Sequence, residues 1–116
     1  MSELIGNTLP KSSILKGRIA IAKLLREGCY GSAGCLKFCF RPSDESKIMV
    51  SVPKKIFRRA VKRNLMKRRI REAYRTQRGL MGGKTFEILF IYACPEIAES
   101  KVVHSSMAEL LKQISK

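Results

Sequence analysis

The sequence predicts a single α+β domain, a two-layer sandwich in which helices pack against one small mixed sheet. Three observations support this fold class. The chain has 116 residues, of which 45% are hydrophobic, so it is long enough to enclose one core. Helix-like and strand-like patterns follow one another in the order α-β-β(-β)-α-β-α. No internal repeat and no second such pattern occurs, so we expect residues 1–116 to form one domain.

The N-terminal part of the chain contains the first predicted helix. Residues 1–11 are expected to be a flexible lead-in that ends near Pro10. A short helix is predicted within residues 16–27, and Gly28 is a natural C-terminal stop for it. One face of this helix carries the apolar residues Ile21, Leu24 and Leu25.

Two strands are predicted next, and we expect them to pair as a hairpin. Residues 29–34 are small and indicate a loop. Apolar and other residues alternate over 35–40 and again over 47–52, which is typical of strands. The turn-forming residues 41–46 lie between them, so the two strands are expected to be neighbours in the sheet.

The second half of the chain begins with a long basic helix, predicted from about residue 57 to residue 77. A glycine-rich loop over 79–84 separates it from the apolar run 85–93, which indicates a buried central strand. Ser100 is expected to cap the last helix. The apolar residues of that helix keep helical spacing at Val103, Met107, Leu110, Leu111 and Ile114.

Positive charge is the strongest signal in the composition. The chain has 24 Lys and Arg against 9 Asp and Glu, a formal net charge of +15 and a pI near 10.2. Such a protein attracts polyanions, and nucleic acid is the leading candidate, although charge alone does not separate DNA from RNA. An anionic membrane is the rival partner, but no amphipathic helix here sets a large aromatic apolar face against a basic one.

The sequence indicates a cytoplasmic protein without a membrane segment. No apolar run approaches the ~18 residues of a membrane span, and the N-terminus lacks the basic segment and apolar run of a secretory signal. The four cysteines form no C-x-x-C pair, so reduced thiols are expected rather than a zinc site. They are Cys29, Cys35, Cys39 and Cys94.

Half of the positive charge lies in residues 53–78, which hold 12 of the 24 Lys and Arg. Each helical residue turns by about 100°. One arc therefore collects the residues that we call the basic face, namely Asn64, Lys67, Arg68, Arg71 and Arg75. Like charges this close repel, which indicates an anion that relieves them; the alternative, a merely solvated face, normally mixes signs. Asn64 is either an ordinary surface residue or a ligand for a base edge, a ribose hydroxyl or a metal-bound water.

Residues 63–75 carry the pattern R-N-x-x-K-R-x-x-R-E-x-x-R, preceded by the pair Lys54-Lys55. In this chain the pattern is Arg63-Asn64, Lys67-Arg68, Arg71-Glu72 and Arg75. It resembles the signature of the bacterial ribonuclease P protein component, and weaker similarity extends over most of the chain. One departure is Leu65, which stands at the third position of the family's Arg-Asn-Arg triplet and weakens one expected contact.

The resemblance implies a fold and an RNA-binding surface. Family members form a ribosomal protein S5 domain 2-like sandwich with a left-handed βαβ crossover, an exception to the usual handedness. Their basic helix contacts the catalytic RNA near its core. The residues implied as RNA contacts here are Lys54, Lys55, Arg59, Arg63, Asn64, Lys67, Arg68, Arg71 and Arg75.

The resemblance also implies a role in tRNA maturation. The protein would be a subunit of an endoribonuclease whose RNA subunit binds Mg²⁺ and removes the 5′ leader of precursor tRNA, with no further protein partner. A cleft between the first helix and the sheet would hold the leader, and its implied residues are Ile21, Leu25, Phe38, Phe40 and Lys55. Many relatives are aromatic where Ile21 and Leu25 stand, so weaker base stacking is expected. Core packing is the alternative for Phe38 and Phe40, because only one face of a strand can line the cleft.

The chain itself is not expected to perform the cleavage. A protein-only nuclease would need clustered carboxylates or paired histidines. The nine acidic residues are scattered, and only Asp44 and Glu45 are adjacent, in a turn where solvation is expected rather than metal binding. His104, the one histidine, is expected on the surface of the last helix. We therefore expect no catalytic residue and no metal site in the protein alone.

Two other functions fit the composition. A structural ribosomal protein, or a general RNA chaperone or DNA-binding module, would also be small and basic. The pattern around Arg63 and Asn64 argues against the first, and strands on both sides of the basic helix are unlike helix-turn-helix order.

Overall fold

The computed structural model describes residues 17–115, and the lead-in expected at 1–11 lies outside them. This part of the chain contains three α-helices, four β-strands and one 3₁₀ turn. In chain order they are α1 (Arg18–Glu27), β1 (Cys29–Ala33), β2 (Leu36–Pro42), β3 (Lys47–Ser51), α2 (Ala60–Gln77), the 3₁₀ turn (Arg78–Met81), β4 (Phe86–Tyr92) and α3 (Ser100–Ile114).

The four strands form one mixed sheet in the order β1-β2-β4-β3. β2 is antiparallel to both β1 and β4, whereas β3 and β4 are parallel. α2 connects β3 to β4, so the parallel pair forms a βαβ unit. The predicted α+β class, the mixed sheet and the order of the elements are confirmed.

The main core lies between one face of the sheet and the helices α2 and α3. Alternate residues of a strand point to the same face. β4 therefore contributes four side chains to this core, namely Phe86, Ile88, Phe90 and Tyr92. Burying one such side chain stabilises the fold by about 1.5–3 kcal/mol. The predicted buried strand is confirmed, because β4 is an inner strand whose two faces are both covered.

α1 covers the opposite face of the sheet, where it forms a smaller cluster. Leu24 is fully buried there and packs with Cys39 of β2. Arg41 of β2 ties the C-terminal end of α1 to the sheet, because it donates to Glu27 at 3.0 Å and to Glu87 at 2.8 Å. Helices therefore lie on both faces of the sheet. The predicted two-layer sandwich corresponds to the sheet packed against α2 and α3, and α1 covers part of the other face.

The segment predicted as a loop at 29–34 is strand β1 instead. Its small residues permit close packing, since a Cβ on Gly31 would lie 2.5 Å from Cζ of Phe38. Gly34, with a φ of 56°, makes the tight turn into β2. The small residues thus reflect packing against a ring and a tight turn, and not an irregular loop.

The predicted hairpin is wrong, because β2 and β3 are not neighbours in the sheet. β4 lies between them and pairs with both. The apolar run of β4 needs partners on both edges and cover on both faces, which an inner position provides. Two boundaries also differ from prediction. α2 begins at Ala60, and Ser100 is the first residue of α3, whose N-cap, Glu99, makes no side-chain capping bond.

Candidate RNA-binding site

The basic face lies on the side of α2 that points away from the main core. Asn64, Arg68 and Arg71 are exposed, and Lys67 is half-buried. The opposite side of the helix is enclosed by the sheet and α3. This placement agrees with the helical arc derived from the sequence.

Three cations of the basic face have no acidic partner within 4.0 Å among residues 17–115: Lys67, Arg68 and Arg71. The ion pairs of this part of the chain join Arg41 to Glu27 and Glu87, Lys47 to Glu45, and Arg75 to Glu72. Unpaired like charges on one helix face repel one another. A bound polyanion would remove that repulsion.

Arg75 differs from its neighbours because Glu72 holds its side chain. The Arg75 Nε donates to Oε2 of Glu72 at 3.1 Å, and Nη2 donates to Oε1 at 2.5 Å. These hydrogen bonds lower the pKa of Glu72, so the pair stays charged at neutral pH. The predicted RNA contact of Arg75 stays a prediction, and RNA would compete there with Glu72.

Arg63 hydrogen-bonds the backbone of the segment that precedes α2. Its Nη1 donates to the carbonyl oxygens of Phe57 at 2.8 Å and of Arg58 at 2.7 Å. Phe57 is buried and stacks on Tyr92, with ring centroids 5.9 Å apart. Residues 53–59 are therefore anchored both by a guanidinium and by a ring in the core.

The anchored segment carries further cations. Lys54, Lys55 and Arg59 are all exposed in it. The carbonyl oxygen of Pro53 accepts from the N–H of Ile56 at 3.1 Å, which closes a turn around the two lysines. The segment thus presents positive charge immediately before the basic face of α2.

An open cavity of about 370 Å³ lies at the end of the sheet where β2 begins and β4 ends. Ile91 lines it and also packs against the α1 cluster, so the cavity opens on the face that α1 covers. On α1, Ile21 is half-buried and Leu25 is 40% exposed. The cavity combines two lysines with mostly apolar neighbours: Lys37, Pro53, Lys55, Ile56, Ile91, Tyr92, Ala93 and Pro95.

Phe38 and Phe40 do not face α1, so core packing, the stated alternative to leader contact, describes both side chains. Phe38 is 3% exposed and lies in the main core, where Phe40 packs against its ring. Because side chains alternate along β2, Lys37 and Cys39 point to α1 instead. The sequence reasoning missed Lys37, although alternation opposite two phenylalanines was the available signal.

In the described part of the chain, the acidic residues and the histidine form no cluster that resembles a catalytic centre. Among residues 17–115 no group of three His, Cys, Asp or Glu could hold a metal ion. Asp44 and Glu45 are exposed, and Glu45 lies 3.7 Å from Nζ of Lys47. Nδ1 of His104 lies 2.8 Å from the carbonyl oxygen of Ser100. No helix in the described part of the chain is long and apolar enough to cross a membrane.

Sequence comparison finds relatives of this chain. The family model described as Ribonuclease P matches residues 9–115. The ribonuclease P protein component of Porphyromonas gingivalis is 35% identical over an alignment of 118 positions, which covers 92% of this chain and 86% of that protein. The ribonuclease P protein component of Chlorobaculum tepidum is 33% identical over an alignment of 89 positions, which covers 70% of this chain and 58% of that protein.

Solved structures share the fold. The RNase P protein from Thermotoga maritima superposes with a TM-score of 0.75 at 26% identity, covering 86% of this chain and 96% of that one. The RNase P protein from Staphylococcus aureus has a TM-score of 0.76 at 22% identity, covering 91% and 97% of the two chains. At the lower identity this second likeness supports the fold alone.

A small mixed sheet, a basic helix face without acidic partners among residues 17–115 and a lysine-lined cleft define the class of small basic α+β proteins suited to bind RNA. Within that class, the family is identified by the family model that matches residues 9–115 and by the relatives above 30% identity. The chain belongs to the ribonuclease P protein family. Ribonuclease P is an endoribonuclease, and this family is its protein component.

Proposed function

We propose that this chain lays α2 against the catalytic RNA of a ribonuclease P holoenzyme. The supporting observation is that Lys67, Arg68 and Arg71 project from a packed helix without acidic partners among residues 17–115. Arginine suits this role because its planar guanidinium binds phosphate bidentately and stacks on bases. Lys54 and Lys55, exposed in the anchored segment before α2, add phosphate contacts.

The other residues of the predicted set have different tasks in this proposal. Arg59 adds a phosphate contact, and the exposed amide of Asn64 binds a base edge or a ribose hydroxyl. Arg63 positions the segment before α2 through its two carbonyl contacts. Arg75 contributes to the field of the helix but shares its charge with Glu72.

The cleft on the α1 face is proposed to hold the single-stranded 5′ leader of precursor tRNA. Lys37 and Lys55 line its cavity and would neutralise leader phosphates, while Ile91 offers an apolar wall to the bases. Ile21 and Leu25 of α1 extend that apolar surface. Lys55 belongs both to the cavity and to the segment before α2, so the leader would run close to the catalytic RNA.

Cleavage is assigned to the RNA subunit with its bound Mg²⁺. The chain's own task is to offset phosphate repulsion between the two RNAs and to hold the leader, which raises the affinity of the complex for metal ions. No further protein subunit and no membrane partner is proposed. The proposal places the protein in the cytoplasm, where precursor tRNA is made in bacteria.

Reconstitution tests the proposed function. Purified chain should restore precursor-tRNA cleavage by a bacterial ribonuclease P RNA at a Mg²⁺ concentration where the RNA alone is slow. A variant with both Arg68→Ala and Arg71→Ala tests the proposed interface in the same assay. It should need a higher protein concentration for the same rate. Absence of stimulation by the wild-type chain would overturn the proposal and favour a structural ribosomal role.

A further inference from the structure

Tyr30 is the one aromatic residue that packs against no other ring. All five Phe and three Tyr of the chain lie within residues 17–115. The others form ring pairs with centroids 5.6–5.9 Å apart, whereas Tyr30 is 63% exposed. The paired residues are Phe38, Phe40, Phe57, Tyr74, Phe86, Phe90 and Tyr92.

A hydrogen bond holds the exposed ring of Tyr30 in place. Its hydroxyl donates to the carbonyl oxygen of Leu25, in the last turn of α1, at 2.5 Å. Tyr30 pairs with Cys39 across β1 and β2, so the ring lies on the face of the sheet that α1 covers. An aromatic side chain has few rotatable bonds and is held here at its far end. It therefore loses little conformational entropy when a ligand binds to its face.

The Tyr30 ring and the lysine-lined cavity share this face of the sheet. Ser32 pairs with Lys37, which in turn pairs with Ile91 of the cavity wall. Tyr30 lies two residues before Ser32. The Cα atoms of Tyr30 and Ile91 are therefore about 7 Å apart along the strand direction and about 10 Å apart across the two strand spacings from β1 to β4. A strand of RNA that enters the cavity beside Lys37 is within reach of the ring.

We propose that Tyr30 is the stacking platform for a base of the single-stranded 5′ leader. This inference rests on the proposed function, because it takes the leader as the strand in the cleft. Bases stack on aromatic rings with little sequence preference, which suits a site that accepts many leader sequences. Ile21 and Leu25 of α1 have no ring, so Tyr30 supplies the aromatic surface on this face.

The dependence of substrate binding on the leader tests this role in the reconstituted holoenzyme. Tyr30→Ala should weaken the binding of precursor tRNA with a leader of several nucleotides about tenfold, the order expected for loss of one base–aromatic stack. It should leave the binding of mature tRNA, which has no leader, at the wild-type value. Tyr30→Phe keeps the ring but loses the hydrogen bond to Leu25, so its affinity for precursor tRNA should lie between those of Tyr30→Ala and wild type, with mature tRNA unaffected.

A second readout uses the absence of tryptophan from the chain. Tyr30→Trp introduces a single indole, whose fluorescence in the holoenzyme should be quenched more by precursor tRNA than by mature tRNA. Val102→Trp is the matched control, because Val102 is exposed on α3, across the sheet from α1. Its fluorescence should not distinguish the two RNAs.

The outcomes separate the proposed function from the role of Tyr30. If the wild-type chain fails to stimulate cleavage, the proposed function itself is wrong. If the wild-type chain stimulates cleavage but Tyr30→Ala binds precursor tRNA normally, the function stands and the stacking role is overturned. An equal loss of affinity for precursor and mature tRNA would also overturn it, because a leader contact cannot affect an RNA without a leader.

Discussion

Replacing Arg68 and Arg71 with alanine should weaken assembly of the chain with the catalytic RNA. Each side chain is exposed and has no acidic partner among residues 17–115, so each is available for a charged contact. Losing one such contact weakens binding by about 1–3 kcal/mol, or roughly five- to 150-fold in affinity. The free energy of unfolding should change by less than about 0.5 kcal/mol, because neither side chain is packed in the core.

Salt dependence provides an independent measure of the same interface. Suppose that each of the cations Lys54, Lys55, Lys67, Arg68 and Arg71 contacts one phosphate. The logarithm of the affinity should then fall against the logarithm of the salt concentration with a slope of about −4. Removing Arg68 and Arg71 should reduce the size of that slope by about 1.6.

Anisotropy of a labelled ribonuclease P RNA, titrated with protein over a range of salt concentrations, measures both quantities. The matched control replaces Lys101 and Lys112 with alanine, since both are exposed on α3 and the net charge falls equally. A purely general effect of charge would weaken both variants alike. Wild-type affinity and slope in the Arg68 and Arg71 variant would place the RNA surface elsewhere on the protein.

Three further changes test the contacts that support the site. Arg63→Ala should speed amide hydrogen exchange in the segment before α2, because two carbonyl contacts are lost; unchanged exchange would contradict this anchor. Since Arg75 lowers the pKa of Glu72 from its ordinary 4.5, their pairing stabilises the fold above that pH and is lost as the pH falls below it. Glu72→Gln should therefore make the free energy of unfolding fall less steeply as the pH is lowered. The difference should be below about 1 kcal/mol, because the pair is partly exposed, and a pH profile identical to wild type would contradict this contribution. Gly31→Ala should lower the free energy of unfolding in urea by about 1–3 kcal/mol, because its Cβ would meet the Phe38 ring at 2.5 Å, and full stability would refute that clash.

The basic face was predictable because helix geometry is local. The angular position of each residue follows from its number, so the exposure of Asn64, Arg68 and Arg71 agrees with the sequence prediction. Arg63 and Arg75 show where that reasoning stops. Their hydrogen bonds to backbone carbonyls and to a carboxylate depend on side-chain conformations, which the helical arc does not describe.

The cleft was less predictable because it depends on which face of the sheet α1 covers. Alternation separates Phe38 and Phe40 from Lys37 and Cys39 without saying which pair faces the main core. From the sequence both leader contact and core packing are open for the phenylalanines, and the structure places them at the main core and the other pair under α1. Tyr30 escaped notice because its segment was predicted to be a loop, although a tyrosine among small residues ahead of a glycine turn is compatible with an edge strand.

The sequence by itself determined the class, the order of the elements, the burial of β4 and the outward direction of the basic face. Those features follow from periodicity and charge among near neighbours in the chain. Only the tertiary structure decided that β4 separates β2 from β3 and that α1 takes the face opposite α2 and α3. Strand pairing and the choice of face depend on burial summed over residues far apart in the sequence, which no local pattern contains.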